Sequence, residues 1–124
     1  MAEKLRVLFV DDDPAAARLY KSYLSADGHD VMVAHSGIEA VEAAERDSFD
    51  VVVMDLNMPG LDGWMSMSLI KARRPKLPVV VLTGDVGKDL ESRAKTAGAA
   101  GFLTKPCQPD LLLRTLKRAL TLPR

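Results

Sequence analysis

The 124-residue chain has one cysteine, Cys107, so no disulfide can close within it, and a reducing compartment is expected. Aromatic residues make up only 5%, and neither sign of charge is in excess: 17 Lys and Arg balance 17 Asp and Glu. That balance removes the general attraction that draws a protein to nucleic acid or an anionic membrane, so neither is expected as a direct partner. No apolar run approaches the roughly 18 residues of a membrane span. The opening Met1-Ala2-Glu3-Lys4-Leu5-Arg6 lacks the apolar segment and cleavage site of a signal peptide. These absences point to the cytoplasm. What is present, 48% hydrophobic and 27% charged residues, is ordinary globular composition, and the expectation is a single domain over 1–124.

Short apolar runs alternate with helical patterns along the whole length. The runs are Val7-Leu8-Phe9-Val10, Val31-Met32-Val33-Ala34, Val51-Val52-Val53-Met54, Val79-Val80-Val81-Leu82 and Gly101-Phe102-Leu103. The third and fourth are almost purely β-branched with no polar alternation, which reads as strands buried on both faces. Between them, Asp13-Pro14 opens a first helix with an apolar stripe of Leu19, Tyr20, Tyr23 and Leu24, stopped at Gly28. Ser36 and Glu39 form a capping-box pattern ahead of Ala40, Val41 and Ala44. A third helix is expected from about Asp62, burying Met65, Leu69 and Ile70 and ending before Pro75, with Lys71, Arg73 and Arg74 near its negative end. A fourth is expected from about Val86 to Ala97, and a fifth from Pro109 with Leu112, Leu113, Leu116, Ala119 and Leu120 on one side. Five βα units in series predict a parallel α/β sheet with helices on both faces.

The stretch "FVDDDP" sets a problem. Two carboxylates about 4 Å apart repel by roughly 4 kcal/mol at an effective dielectric of about 20. Either something offsets that cost or the acids point apart. In an open α/β sheet, ligands bind beyond the carboxyl ends of the strands, where strand order reverses. Asp11 and Asp12 follow the first strand, Asp55 the third, Thr83 ends the fourth, and Lys105 follows the fifth. Asp13, needed as a helix cap, is expected to point away. Clustered carboxylates suit a hard cation such as Mg2+. Such a site can neutralise a phosphoryl group, with a hydroxyl from Thr83, a mobile charge from Lys105 and a carboxylate as nucleophile.

In "VLFVDDDP", "VVVMDLNMPGLDG", "VVVLTGD" and "AGAAGFLTKP", in that order and spacing, the chain resembles the receiver domain of bacterial two-component response regulators over essentially its whole length. The resemblance implies a flavodoxin-like, doubly wound, five-stranded parallel sheet in the order 2-1-3-4-5. It implies that Asp55 accepts a phosphoryl group, in a Mg2+-dependent reaction, from a phosphohistidine on a sensor histidine kinase or histidine phosphotransfer protein. Asp11, Asp12, Asp55 and the backbone carbonyl of Asn57 match the metal ligands. Thr83, Lys105 and the backbone N–H groups of Leu56 and Gly84 match the groups around the phosphoryl oxygens. Lys105-Pro106 matches a bond usually cis in the family. Thr83 and Phe102 match the switch pair, whose movement reshapes the face made by the fourth helix, fifth strand and fifth helix toward an unknown downstream protein. The domain would catalyse only its own phosphorylation and dephosphorylation.

Two other readings stand beside this one. Asp11-Asp12-Asp13 contains the D-x-D of phosphohydrolases similar to the haloacid dehalogenase superfamily, with Asp11 as nucleophile, although Pro14 departs from that pattern. A receiver-like interaction module that is never phosphorylated is the other. Among the remaining features, Met54, Met58, Met65 and Met67 read as core and loop filling, and Trp64 as a half-buried helix-start residue. His29 and His35 lack metal-ligand spacing and read as solvated. Arg114, Lys117 and Arg118 read as a solvated face of the last helix. Ser68–Lys71 and Ser92–Lys95 read as chance matches to a penicillin-binding pattern. Asn57 and Asp85, each two residues past a site residue, fit either control of water access or plain loop polarity.

Overall fold

Val51-Val52-Val53-Met54 and Val79-Val80-Val81-Leu82 carry no polar side chain on either side of the pleat, and every one of these residues is buried. Such strands need a layer over each face. The computed structural model describes residues 4–85 and 87–121 and supplies both layers. The strands are β1 (Arg6–Val10), β2 (Asp30–Ala34), β3 (Val51–Met54), β4 (Val79–Thr83) and β5 (Gly101–Thr104). They alternate with α1 (Pro14–Ala26), α2 (Gly37–Arg46), α3 (Gly63–Arg73), α4 (Leu90–Thr96) and α5 (Pro109–Thr121). All strand pairs are parallel and the order is β2-β1-β3-β4-β5. The alternation of runs predicts a parallel sheet with helices on both faces, the family resemblance implies the flavodoxin-like order 2-1-3-4-5, and the structure has both.

Ala17, Tyr20 and Leu24 of α1 and Leu112, Leu116 and Ala119 of α5 share one buried cluster with Val7, Phe9, Val51 and Val53. On the other face, Ala40, Ala43 and Ala44 of α2, Met67 and Ile70 of α3, and Leu90 and Ala94 of α4 meet Leu8, Val10, Val52 and Met54. Truncating one of the large buried side chains in either cluster to alanine costs about 2–5 kcal/mol. Strand order reverses between β1 and β3, so the crevice of the switch point lies beyond Val10 and Met54.

The helix starts are local chemistry. The Asp13 carboxylate accepts from the Ala15 N–H at 3.0 Å, with Pro14 at the first helical position. Ser36 Oγ accepts from the Glu39 N–H at 3.1 Å, and Glu39 reaches back to the N–H of His35, one residue before the cap. Gly28 and Gly98 end α1 and α4 with φ of +91° and +109°, which an L side chain rarely adopts.

Four expectations fail. Leu19 is exposed, because α1 turns Ala17, Tyr20 and Leu24 inward and leaves Leu19 a step to the side. In α3, Met65 and Leu69 are exposed and Gly63, Ser66, Met67 and Ile70 face in. Positions 63, 66, 67 and 70 share one face of the helical repeat and 65 and 69 fall outside it; at that face α2 comes so close that a Cβ at Gly37 would lie 2.2 Å from Ser66 Oγ. The buried Ser66 hydroxyl is satisfied by donating to the Asp62 carbonyl at 2.7 Å. The fourth helix runs only Leu90–Thr96, because Asp89 takes a left-handed conformation (φ 64°) and makes no side-chain cap; Val86 lies outside the described residues. Finally, His29 is buried, not solvated. Its Nδ1 accepts the Leu5 N–H at 3.0 Å, and its Nε2 lies 3.1 Å from the Asp27 carboxylate. A buried backbone donor ahead of β1 needs an acceptor, and the ring supplies one.

Candidate functional site

The parallel ladder carries the site residues past the ends of the strands. The Asp11 N–H donates to the Ala34 carbonyl, the Asp55 N–H to the Val10 carbonyl and the Lys105 N–H to the Thr83 carbonyl, at 3.1, 3.1 and 2.8 Å. These bonds fix where each Cα stands before any side-chain contact is made. Asp55 is pressed further from below: the Gly63 N–H donates to the Leu56 carbonyl, and a Cβ at Gly63 would lie 2.1 Å from the Asp55 carbonyl oxygen. Only a glycine lets α3 start this close to the acid.

Lys105 settles the problem of the neighbouring acids. Its Nζ lies 2.5 Å from Asp11 Oδ2 and 3.3 Å from Asp55 Oδ2, so one ammonium bridges the carboxylates that follow β1 and β3. Asp11 is 1% exposed and Asp55 6%. The remaining oxygens are also held: Asp11 Oδ1 accepts the Asp13 N–H at 2.9 Å, and Asp55 Oδ1 accepts the Asn57 N–H at 3.3 Å. Asp13 turns away to cap α1. Asp12 is exposed, yet it offers an oxygen within 4.8 Å of those from Asp11 and Asp55. Thr83 is fully buried and its Oγ accepts the Asp85 N–H at 3.2 Å. The Lys105–Pro106 bond is cis.

Burial raises the Asp55 carboxyl above the ordinary carboxylate range. The charge of Lys105 and the Asn57 N–H oppose that shift without cancelling it, and the nearby charge of Asp11 adds to it. Burial works against the Lys105 ammonium too, but the hydrogen bond to Asp11 and the charges of Asp55 and Asp11 outweigh it, so this lysine is held above its usual range. Asp55 is thus a basic carboxylate beside a cation that cannot readily lose its proton. Oxygen-only donors from three acids, two of them buried, fit a hard divalent cation.

Sequence reasoning brought Asp11, Asp12, Asp55, Thr83 and Lys105 to one end of the sheet, and the structure places them there. It left open what Asn57 and Asp85 do. The Asn57 side-chain amide donates to the Asp85 carboxylate at 2.8 Å, tying the loop after β3 to the loop after β4. Neither residue's neighbours in the chain signal that pairing across 28 positions. Phe102 is half-buried, and it packs on the α2–α3–α4 side of the core. It also lines a cavity of about 650 Å3 against α4, with Asp85, Leu90, Lys95 and Thr104.

Comparison with known proteins sorts these observations. The family model for the response regulator receiver domain matches residues 7–117. The chain belongs to this family. Among relatives, this receiver domain is 35% identical over 113 residues to the response regulator protein FleR of Pseudomonas aeruginosa, covering 91% of the chain and 24% of that protein. It is 34% identical over 114 residues to the transcriptional regulatory protein GlrR of Escherichia coli, covering 92% and 26%. The chain therefore spans about a quarter of the length of these curated relatives. The crystal structure of the Vibrio cholerae chemotaxis protein CheY4 is similar with a TM-score of 0.88 at 32% identity, covering 95% of this chain and all of that one. A CheY-like receiver domain protein from Methanospirillum hungatei has the same TM-score at 27% identity, covering 95% and 94%. The receiver domain is a response-regulator switch domain, consistent with phosphorylation-controlled signalling, and its acidic cluster fits a metal. No helix among its described residues is long and apolar enough to cross a membrane.

Proposed function

We propose that this chain is a phosphorylation-controlled switch, one receiver unit over 1–124, in which Asp55 accepts a phosphoryl group from a partner phosphohistidine. The observation that carries the reading is the single ammonium of Lys105 bridging buried Asp11 and Asp55 at the switch point, with Asp12 alongside. A divalent ion such as Mg2+, when bound, supplies positive charge against the phosphoryl oxygens. Asp11, Asp12, Asp55 and the backbone carbonyl of Asn57 would hold it.

An Asp55 carboxylate oxygen attacks phosphorus while the bond from phosphorus to the histidine nitrogen breaks, its electron pair leaving with the imidazole. Lys105 pairs with a phosphoryl oxygen as that charge arrives. Thr83 only accepts in its bond with the Asp85 N–H, so its own hydroxyl proton is available to a second phosphoryl oxygen. The N–H groups of Leu56 and Gly84 serve the remaining acceptors. Both buried acids are held by Lys105 and by a backbone N–H, but Asp11 is held more closely, at 2.5 and 2.9 Å against 3.3 and 3.3 Å for Asp55, which leaves Asp55 the freer nucleophile.

The partner supplying the phosphoryl group is a sensor histidine kinase or a histidine phosphotransfer protein, and the setting is cytoplasmic. When Thr83 is drawn to the new charge, the space it leaves favours an inward Phe102. The face formed by α4, β5 and α5 then changes shape and selects a downstream protein. The protein acts chemically on itself alone, forming and losing the acyl phosphate. The test is 31P NMR of the chain with acetyl phosphate and Mg2+. An acyl-phosphate signal that needs the metal and disappears in Asp55→Asn is expected. A signal of full size in that variant overturns the assignment.

A further inference from the structure

The helix at the centre of the proposed switch is short and uncapped. α4 has seven residues, buries Leu90 and Ala94, begins after a left-handed Asp89 with no side-chain cap, and borders the 650 Å3 cavity that also takes Phe102. α3 is its opposite. Asp62 caps it through the Met65 N–H at 2.9 Å, and Gly63 sits directly on the backbone of Asp55 and Leu56. The two helices meet through a ring contact: the guanidinium of Arg93, on α4, lies over the ring of Trp64, on α3, with Cζ 4.9 Å from the centroid. Trp64 is the next residue after Gly63, half-buried against the core, and is the chain's sole tryptophan. Arg93 is exposed.

We propose that the Arg93–Trp64 stack is a latch that holds α4 against the fixed start of α3 and opposes the switched arrangement. This rests on the phosphoryl-accepting reading above and adds the contact that sets its equilibrium. A cation over an indole face at an exposed position is favourable by about 0.5–1 kcal/mol. A displaced α4 forfeits that contact, so the ligand that favours displacement binds more weakly by the same amount. Removing the cation removes that tax. Arg93 touches none of the acids, Thr83 or Lys105, so its effect on ligand affinity must pass through α4.

The test uses beryllofluoride, a phosphoryl mimic, with Mg2+ on the whole chain, read by 19F NMR for binding and by Trp64 emission for the latch. Wild type is expected to bind and to shift its emission on binding. Arg93→Ala should bind about two- to five-fold tighter, which is the factor corresponding to about 0.5–1 kcal/mol. Its ligand-free emission should already stand close to the bound value. Arg93→Lys, which keeps a cation but stacks less well, should fall between. Equal affinity in wild type and Arg93→Ala, or weaker binding in the variant, overturns the latch while leaving the acid site intact. No 19F signal of binding in wild type overturns the phosphoryl-accepting reading and the latch with it.

Discussion

Asp55 carries two conflicting demands. As the nucleophile proposed above it gains from a raised basicity, and burial supplies that; as a buried charge it weakens the fold that holds it. Folding raises its pKa, so its contribution to stability is fullest below the ordinary value of 3.8 and is lost as pH rises through the higher folded value. Asp55→Asn should therefore do more than remove the proposed phosphoacceptor. In metal-free buffer its melting temperature should exceed that of wild type at neutral pH, and the advantage should vanish in acid, where wild type also carries a neutral group. Lys105→Ala should do the reverse, leaving two buried carboxylates facing one another. A loss of roughly 1–3 kcal/mol is expected near neutral pH by urea unfolding, shrinking as acid protonates Asp55. The positions of the acids were legible in the sequence because Asp11 and Asp55 each follow an apolar run directly, with Asp12 the next residue after Asp11. His29 was not. The donor that holds it, the Leu5 N–H, lies 24 positions away, and nothing in the spacing of the two histidines signals a buried ring.

At the scale of the element, the strands were legible almost to the residue, since Val51–Met54 and Val79–Thr83 leave no alternative to burial on both faces. The helices were legible in existence but not always in facing. Met65 and Leu69 look like core by composition, yet the helical repeat turns Gly63, Ser66, Met67 and Ile70 inward, and the small Ser66 lies where α2 approaches closely at Gly37. The short α4 was overlong in expectation because its start depends on one left-handed residue, Asp89, that carries no local signal. The Thr83 hydroxyl accepts the Asp85 N–H in the loop that leads from β4 toward α4, and under the proposed switch it relays the new charge to that helix. Thr83→Ala should still take up a phosphoryl group, with the amide shifts of α4 and β5 no longer responding to it. A response of full size in that variant would remove Thr83 from the switch.

For the molecule as a whole, the parallel sheet in the order β2-β1-β3-β4-β5 brings residues 11, 12, 55, 83 and 105 to one rim. The overall charge balance means that whatever attracts a cation is local to this rim. Mg2+ that binds the folded chain and not the unfolded one should raise its stability by about 2.7 kcal/mol at a hundred times Kd. That is a rise of roughly 5–15 °C in melting temperature for a domain of this size. Asp12→Ala should lose most of the rise while keeping the metal-free melting temperature, since Asp12 is exposed.

The most direct measurement reads the acceptor residue itself. The chain is treated with acetyl phosphate and Mg2+, reduced with borohydride so that an acyl phosphate becomes an alcohol, and mapped by peptide mass spectrometry. The account predicts homoserine at position 55 and unmodified aspartate at 11, 12 and 13. Homoserine at position 11 with Asp55 unchanged, or no modification at any of the four, would contradict it.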